Sequence, residues 1–255
     1  MKYLKTGLQY IYSIYAFAVF LLLMFILFPF VVLASLFGKV RGGNMVYHIC
    51  RFWADVAVFC WGIRHKNIYE APHNPDRPVI FVFNHISYMD IPILLKAFGG
   101  QPIRVLGKAE MGKIPIFGFI YKAAVVMVER SDPAKRAQSV KTLKDVLRKN
   151  ISIVIAPEGT FNMTGKPLKE FYDGAFRIAI ETQTPIKPVL FLDTYDRLNY
   201  KSIFSLTPGK SRAIFLEEIN VKDTDLAEEL KQRVYNIMET ELVKHKASWI
   251  TEQTN

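Results

Sequence analysis

Cysteine is nearly absent: the 255 residues hold two, Cys50 and Cys60, both inside an apolar stretch. That excludes a disulfide framework and a zinc site made of four cysteines, and it fits a reducing compartment. No G-x-S-x-G elbow and no phosphate-cradling P-loop occur, so two common catalytic frameworks are missing. Internal repeats, low-complexity tracts and long linkers are also missing. Acids are in deficit, 23 Asp and Glu against 33 Lys and Arg, for a formal net charge of +10. Such a chain favours an anionic partner: nucleic acid, anionic lipid or a phosphorylated substrate. Charge alone does not choose among them, but no zinc pattern or RNA-binding signature supports nucleic acid.

Charge is missing altogether between Lys5 and Lys39. Residues 11–37 are almost wholly apolar, and as a helix they span roughly 40 Å against a hydrocarbon core of roughly 30 Å. Pro29 lies inside the run and lacks an N–H, so a kink, or a break into a helix pair dipping into one leaflet, competes with a straight span. A secretory leader is the other alternative, but the run is too long for one. Residues 44–61 predict a second membrane-facing helix. Asn44, His48, Arg51 and Asp55 recur at helical spacing, leaving a narrow polar stripe on an apolar cylinder that also carries Trp53 and Trp61. An ordinary core helix is equally compatible with that pattern. Lys2, Lys5, Lys39 and Arg41 flank the segments with no acid among them, which suits anionic head groups.

Beyond Gly62 the continuous apolar pattern gives way to short β-branched runs alternating with helical periods. This predicts an α/β domain over 63–255 with a mixed, largely parallel sheet flanked by helices, preceded by a membrane-embedded helical motif over 1–62. Expected strands are 79–83, 125–129, 151–156, 186–192 and 212–221. Asp132-Pro133 reads as N-cap and first residue of a helix to about Asn150, with Val140, Leu143 and Leu147 as its buried stripe. Its other face is basic and either solvated or laid on anionic lipid. A last amphipathic helix, 225–245, is expected to cover the sheet.

Ligands of open α/β sheets sit at the carboxyl ends of strands. The first such end gives Asn84, His85 and, a turn later, Asp90. A carboxylate folded back onto an imidazole makes a general base, fixing its tautomer and stabilising the imidazolium formed when a hydroxyl gives up its proton. Asp90 alone reads equally as a helix N-cap before Ile91-Pro92. The second end gives Glu129 and Arg130, a cation for an anionic substrate or a surface pair. The third gives Pro157-Glu158-Gly159-Thr160, a turn whose exposed N–H groups are suited to an anion. The fourth places Pro185 and Pro188 around the beginning of a strand, with Lys187 between them.

Four such turns in this order resemble the glycerolipid acyltransferase family, which includes the lysophosphatidic acid acyltransferases. Asn84, His85 and Asp90 match its NHxxxxD block; Glu129 and Arg130 match the second block, although Ala124 stands where Gly is usual. Lys108 to Met111 and Pro115 to Gly118 are similar to the stretch between these blocks. Pro157 to Thr160 match the third block but Phe161 replaces its arginine, and Pro185 and Pro188 match the fourth with Lys187 at a normally apolar position.

The resemblance implies a membrane-bound O-acyltransferase of phospholipid biosynthesis. His85 is its base and Asp90 its orienting acid; Asn84, Arg130, Glu158, Gly159, Thr160, Lys187 and Pro188 form the substrate site. The donor is acyl-CoA or an acyl-carrier protein, the acceptor a lyso-lipid in a membrane, and no cofactor, metal or nucleic acid is required. It also implies the inner membrane of a bacterium with the site on the cytoplasmic side, and no acyl-enzyme, in keeping with the lack of a cysteine near the site. Phe161 has neither charge nor donor. Either Lys166 or Lys187 replaces the arginine and the acceptor is lysophosphatidic acid, or the acceptor is a phosphate-free lyso-aminolipid of the lyso-ornithine or lyso-glycine type. An ester or thioester hydrolase and a non-catalytic lipid-binding protein are the competing readings.

Overall fold

The long apolar run folds into one uninterrupted helix, α1 (Lys2–Ser35), with Pro29 inside it. The computed structural model describes residues 2–129, 132–222 and 224–251. Rather than breaking at the proline, the chain reverses through a π-helical turn, Gly38–Gly42, and returns as α2 (Gly43–Cys60). Glycine is required in that reversal, since a Cβ on Gly42 would lie 2.4 Å from the Ala34 carbonyl oxygen. Among the described residues α1 is the one helix long and apolar enough to cross a membrane. One face exposes Ile11, Ile14, Phe17, Leu22, Phe25, Phe30 and Leu33, and the other buries Ala16, Met24, Val31 and Ala34.

The hairpin is tied to the rest of the chain at both ends of α1. Gln9 Nε2 donates to the Ser205 carbonyl (3.0 Å). At the turn the buried Arg104 guanidinium donates to the carbonyls of Lys39 and Val40 (3.1 and 3.2 Å). Part of the polar stripe of α2 is engaged within the protein. Asp55 accepts from Lys96 (2.5 Å), Arg51 reaches the Gly99 carbonyl, and the stripe thereby docks on the helix that carries Lys96. The tryptophans also turn inward. Trp61 is buried and donates to the Ala16 carbonyl (3.0 Å), and Trp53 packs edge-on against Phe20 (5.1 Å).

After the hairpin come β1 (Ile63–Tyr69), β2 (Ile80–Phe83), α3 (Asp90–Ala97), β3 (Ile103–Lys108), α4 (Phe117–Ala124), β4 (Val125–Val128) and α5 (Pro133–Leu147). Then follow β5 (Ser152–Ile155), α6 (Gly174–Thr182), β6 (Ile186–Phe191), α7 (Thr194–Arg197), β7 (Gly209–Phe215) and α8 (Ala227–Lys244). The strands form one sheet in the order β1-β7-β6-β2-β5-β3-β4. Every neighbouring pair is parallel except β6 with β7. The fold is thus the mixed, largely parallel sheet that the alternating pattern predicts.

Four expected strands lie within a residue of those found, and two strands escaped the sequence reading. β1 has a mostly exposed side, and its Arg64, His65, Lys66 and Asn67 mask the apolar alternation. In β3 the pattern is broken by Arg104 and by Gly107, where a Cβ would strike the Tyr121 hydroxyl. The expected strand 212–221 is displaced: pairing runs through Gly209–Phe215, and the chain beyond returns only as an isolated bridge from Ile219 to Ile186.

Strand alternation sorts the core into two layers. Ile80, Val82, Ile153, Ile155, Ile186 and Leu190 meet α5, α6 and α8, the last through Leu230, Val234, Met238 and Leu242 at four-residue spacing. Phe81, Phe83, Val154, Val189, Phe191 and Phe215 meet α3 and the hairpin. α5 begins where expected, Asp132 capping the N–H groups of Ala134 and Lys135, and buries Leu143 and Leu147. It lies in the layer opposite the hairpin, so its basic face points away from the apolar face of α1.

Candidate active site

β2 ends at Phe83 because the next side chain takes over the ladder. Asn84 is buried, and its amide mimics a peptide: Nδ2 donates to the Phe191 carbonyl (3.1 Å) and Oδ1 accepts from the Phe191 N–H (2.8 Å). Bonded through both groups to β6, Asn84 fixes the strand exit. His85 follows on the side of Phe81 and Phe83, toward the hairpin, with Phe83 at 5.8 Å between ring centres.

His85 Nδ1 lies 2.7 Å from Asp90 Oδ2. The same oxygen accepts from the N–H groups of Ile86 and Ser87, both at 2.8 Å. Asp90 is wholly buried and is the first residue of α3, yet it does not cap that helix. Its carboxylate closes the turn and holds the imidazole instead, while Oδ1 has no partner among the described residues. With Nδ1 held as the donor, Nε2 is the nitrogen that accepts a proton.

Two further groups lock this turn. Ser87 is buried; its hydroxyl donates to the Thr194 carbonyl (2.9 Å) and accepts from the Met89 N–H (2.9 Å), pinning the turn to the β6–β7 connection. Glu158 is wholly buried, and its Oε1 accepts from the His85 N–H and its Oε2 from the Lys169 N–H, both at 2.8 Å. Burial pushes the Glu158 carboxyl up to about 8, against the pull of those two N–H groups. The side chain therefore staples two loops. Gly159 adopts φ +71°, the left-handed region open to glycine, and its N–H is already bonded to the Ala156 carbonyl (3.0 Å). It is not the free anion donor expected of that turn.

Phe161 packs edge-on against the His85 ring at 4.5 Å between centres and against Tyr88 at 4.9 Å. Such contacts are worth about 0.5–1.5 kcal/mol each, so the residue that departs from the motif helps to fix the imidazole. Thr160 Oγ1 accepts from Lys169 Nζ at 3.0 Å. Sequence reading missed Lys169, because nothing in its spacing ties it to the motif. It also missed Ser87 and the buried Asp193, whose carboxylate takes a two-pronged bond from Arg212 (2.8 Å each) beside the same loop.

The fourth-block residues are not brought to His85. Pro188 is buried in β6, opposite Val82. Lys187 pairs in register with Phe81, which precedes His85 by roughly 13 Å of strand. It is fully buried; its ammonium reaches the Pro72 carbonyl (3.2 Å) and Glu218 (3.5 Å), a carboxylate shared with His73 and Arg77. Burial lowers its pKa. Lys187→Met should accordingly lower stability by about 1.5–3 kcal/mol, the worth of a hydrogen bond to a charged group, with the acceptor KM unchanged. A raised KM with unaltered melting would return Lys187 to the site. Arg130 lies outside the described residues. The strand before it, β4, is separated from β2 by β5 and β3, roughly 14 Å.

Between the hairpin and α3 and α4 lies an apolar cavity of about 730 Å³, lined by Phe17, Phe20, Met24, Val31, Trp53, Leu95, Ile120 and Phe204 among others. Tyr88 and Met89, two of the four residues between His85 and Asp90, form part of its wall, so the cavity reaches the His85–Asp90 turn. Cys50 of α2 lines it too; the expectation of no cysteine near the site holds for the turn and fails for the cavity. A second cleft, of about 380 Å³, lies on the Lys169 side, lined by apolar Leu168 and Phe171 as well as Lys166, Glu170, Glu228 and Lys231.

The chain has relatives among known proteins. The chain is similar to the 1-acyl-sn-glycerol-3-phosphate acyltransferase of Helicobacter pylori, 30% identical over 65% of this chain and 69% of that one. It is similar also to the chloroplastic enzyme of that name from Arabidopsis thaliana, 28% identical over 86% of this chain. Its match spans about 60% of the length of that plant relative. The crystal structure of the lysophosphatidic acid acyltransferase PlsC from Thermotoga maritima shares the fold, with a TM-score of 0.74 over 98% of this chain and 99% of that one, at 24% identity. The acyltransferase family model matches residues 63–192, from the first strand through the last residue before Asp193. With its His85–Asp90 pair and closed turn inside that stretch, the chain belongs to the acyltransferase family.

Proposed function

We propose that the protein is a membrane-bound O-acyltransferase that moves a fatty acyl group from a coenzyme A or carrier-protein thioester to the free hydroxyl of a lyso-lipid, lysophosphatidic acid foremost. The observation that carries this reading is the position of the His85–Asp90 pair at the edge of an apolar cavity that lies against the hairpin. His85 Nε2 takes the hydroxyl proton, and the oxygen attacks the thioester carbonyl. The tetrahedral adduct expels the thiolate, which recovers the proton from the imidazolium, so the base is regenerated and no acyl-enzyme forms. Asp90 stabilises the imidazolium in between. The Ser87 hydroxyl is engaged with backbone carbonyls and is not a competing nucleophile.

The exposed apolar face of α1 supports embedding in a bilayer. The ties at Gln9 and at the turn hold the whole length of α1 against the domain, which favours entry of the hairpin from one side over a perpendicular span. The test of function is an assay of the purified full chain in mixed micelles with acyl-CoA and lysophosphatidic acid. Phosphatidic acid should form much faster than free fatty acid. Release of fatty acid alone would instead support a hydrolase.

A further inference from the structure

We propose that Lys169, acting with the Thr160 hydroxyl, holds the anionic head group of the acceptor. This rests on the lyso-lipid reading above. Lys169 is half-buried, forms no ion pair among the described residues, and spends one bond on the neutral Thr160 oxygen. An ammonium has three donors. Two remain for a ligand, and because Thr160 Oγ1 accepts from Lys169, its own hydroxyl hydrogen is free to point outward as a third.

Two other cations are already paired. Lys187 is buried against Glu218 at the far end of β6, and Lys231 is neutralised by Asp173 (2.9 Å) and Glu228 (2.6 Å). Phe161, next to Thr160, offers only an apolar ring to His85.

Position agrees with charge. The single carboxyl of Glu158 binds the N–H of His85 through one oxygen and that of Lys169 through the other. The main chains that carry the base and the cation are therefore held in fixed relation by one side chain. The apolar cavity opens on the Tyr88–Met89 side of the turn, while the Lys169 ammonium sits on Thr160, whose chain neighbour Phe161 packs on the His85 ring. An amphiphile with its reacting hydroxyl at His85 thus places its chain in the cavity and its head at Lys169. The ligand chemistry this selects is an oxyanion a few bonds from the reacting hydroxyl: a phosphate monoester, or the carboxylate of a lyso-aminolipid.

The experiment compares wild type, Lys169→Met and Lys169→Arg, each checked by thermal melting, in the full chain with one acyl-CoA donor. Three acceptors are offered: lysophosphatidic acid, a carboxylate-bearing lyso-aminolipid and the neutral monoacylglycerol. Lys169→Met should raise KM for the anionic acceptor ten-fold or more, change kcat by less than about three-fold, and leave monoacylglycerol turnover unaltered. Lys169→Arg should keep most of the affinity. Which anionic lipid the wild type prefers identifies the source of the oxyanion. An unchanged KM, or equal losses on neutral and anionic acceptors, overturns the proposal. If wild type only hydrolyses the thioester, the transfer reading fails by itself. Lys169 is then judged by whether lysophosphatidic acid inhibits that hydrolysis in wild type and not in Lys169→Met; equal inhibition overturns it.

Discussion

His85→Ala is expected to fold normally and to lose acyl transfer by about 10²–10⁴-fold, the usual contribution of a general base. The fold should survive because the His85 main chain, not its ring, makes the structural bonds: its N–H binds Glu158 and its carbonyl accepts from the Asn162 N–H (2.7 Å). Asp90→Asn is a different lesion. Asp90 Oδ2 takes three donors at once, and an amide oxygen in its place accepts them without the negative charge that steadies the imidazolium. The rate should fall strongly while the turn stays closed. Asp90→Ala, by contrast, leaves two buried N–H groups unpaired, at about 1–3 kcal/mol each, and should lower stability as well as rate. A folded His85→Ala protein keeping more than a tenth of wild-type transfer would refute the mechanism.

Removing residues 1–61 is expected to abolish both the fold and the activity, a harsher result than an anchored domain released from its tether. Ala16, Tyr47, Ala57, Val58 and Trp61 share one buried cluster with Phe81, Phe83, Phe191 and Phe215 of the sheet. Loss of a core tryptophan alone costs about 3–5 kcal/mol, a large part of the 5–15 kcal/mol that typically separates folded from unfolded chains. The truncated protein should aggregate, without a cooperative melting transition. A soluble, cooperatively melting and active truncation would contradict this. The full chain should stay with membranes through a high-salt wash, since burial of the exposed α1 face is not screened by salt. Release by salt alone would contradict membrane embedding.

Much was legible in the residues because it is local. Charge-free residues 11–37 dictated a long helix, Asp132-Pro133 announced a helix start, and four β-branched runs located strands to within a residue. His85 and Asp90 could be paired on paper because five residues after a strand suffice to turn a carboxylate back on an imidazole. Partners set by long-range packing were hidden. Nothing in the composition of α2 says whether its polar stripe meets lipid or α3, and only Lys96 against Asp55 answers that. Pro29 looked like a breaking point, yet the reversal comes at Gly42, where close approach of the backbone admits no side chain.

The sequence by itself determined the long first helix, α5 and α8, four of the seven strands and the His–Asp turn, because each depends on near neighbours in the chain, and their alternation implied the largely parallel sheet. The tertiary structure decided which motif residues face one another. A strand holds its two ends far apart, so Lys187, between the two prolines of the fourth block, lies far down the sheet from His85. Lys169, outside every motif, is brought to Thr160 by one buried carboxyl that staples its loop to the catalytic turn.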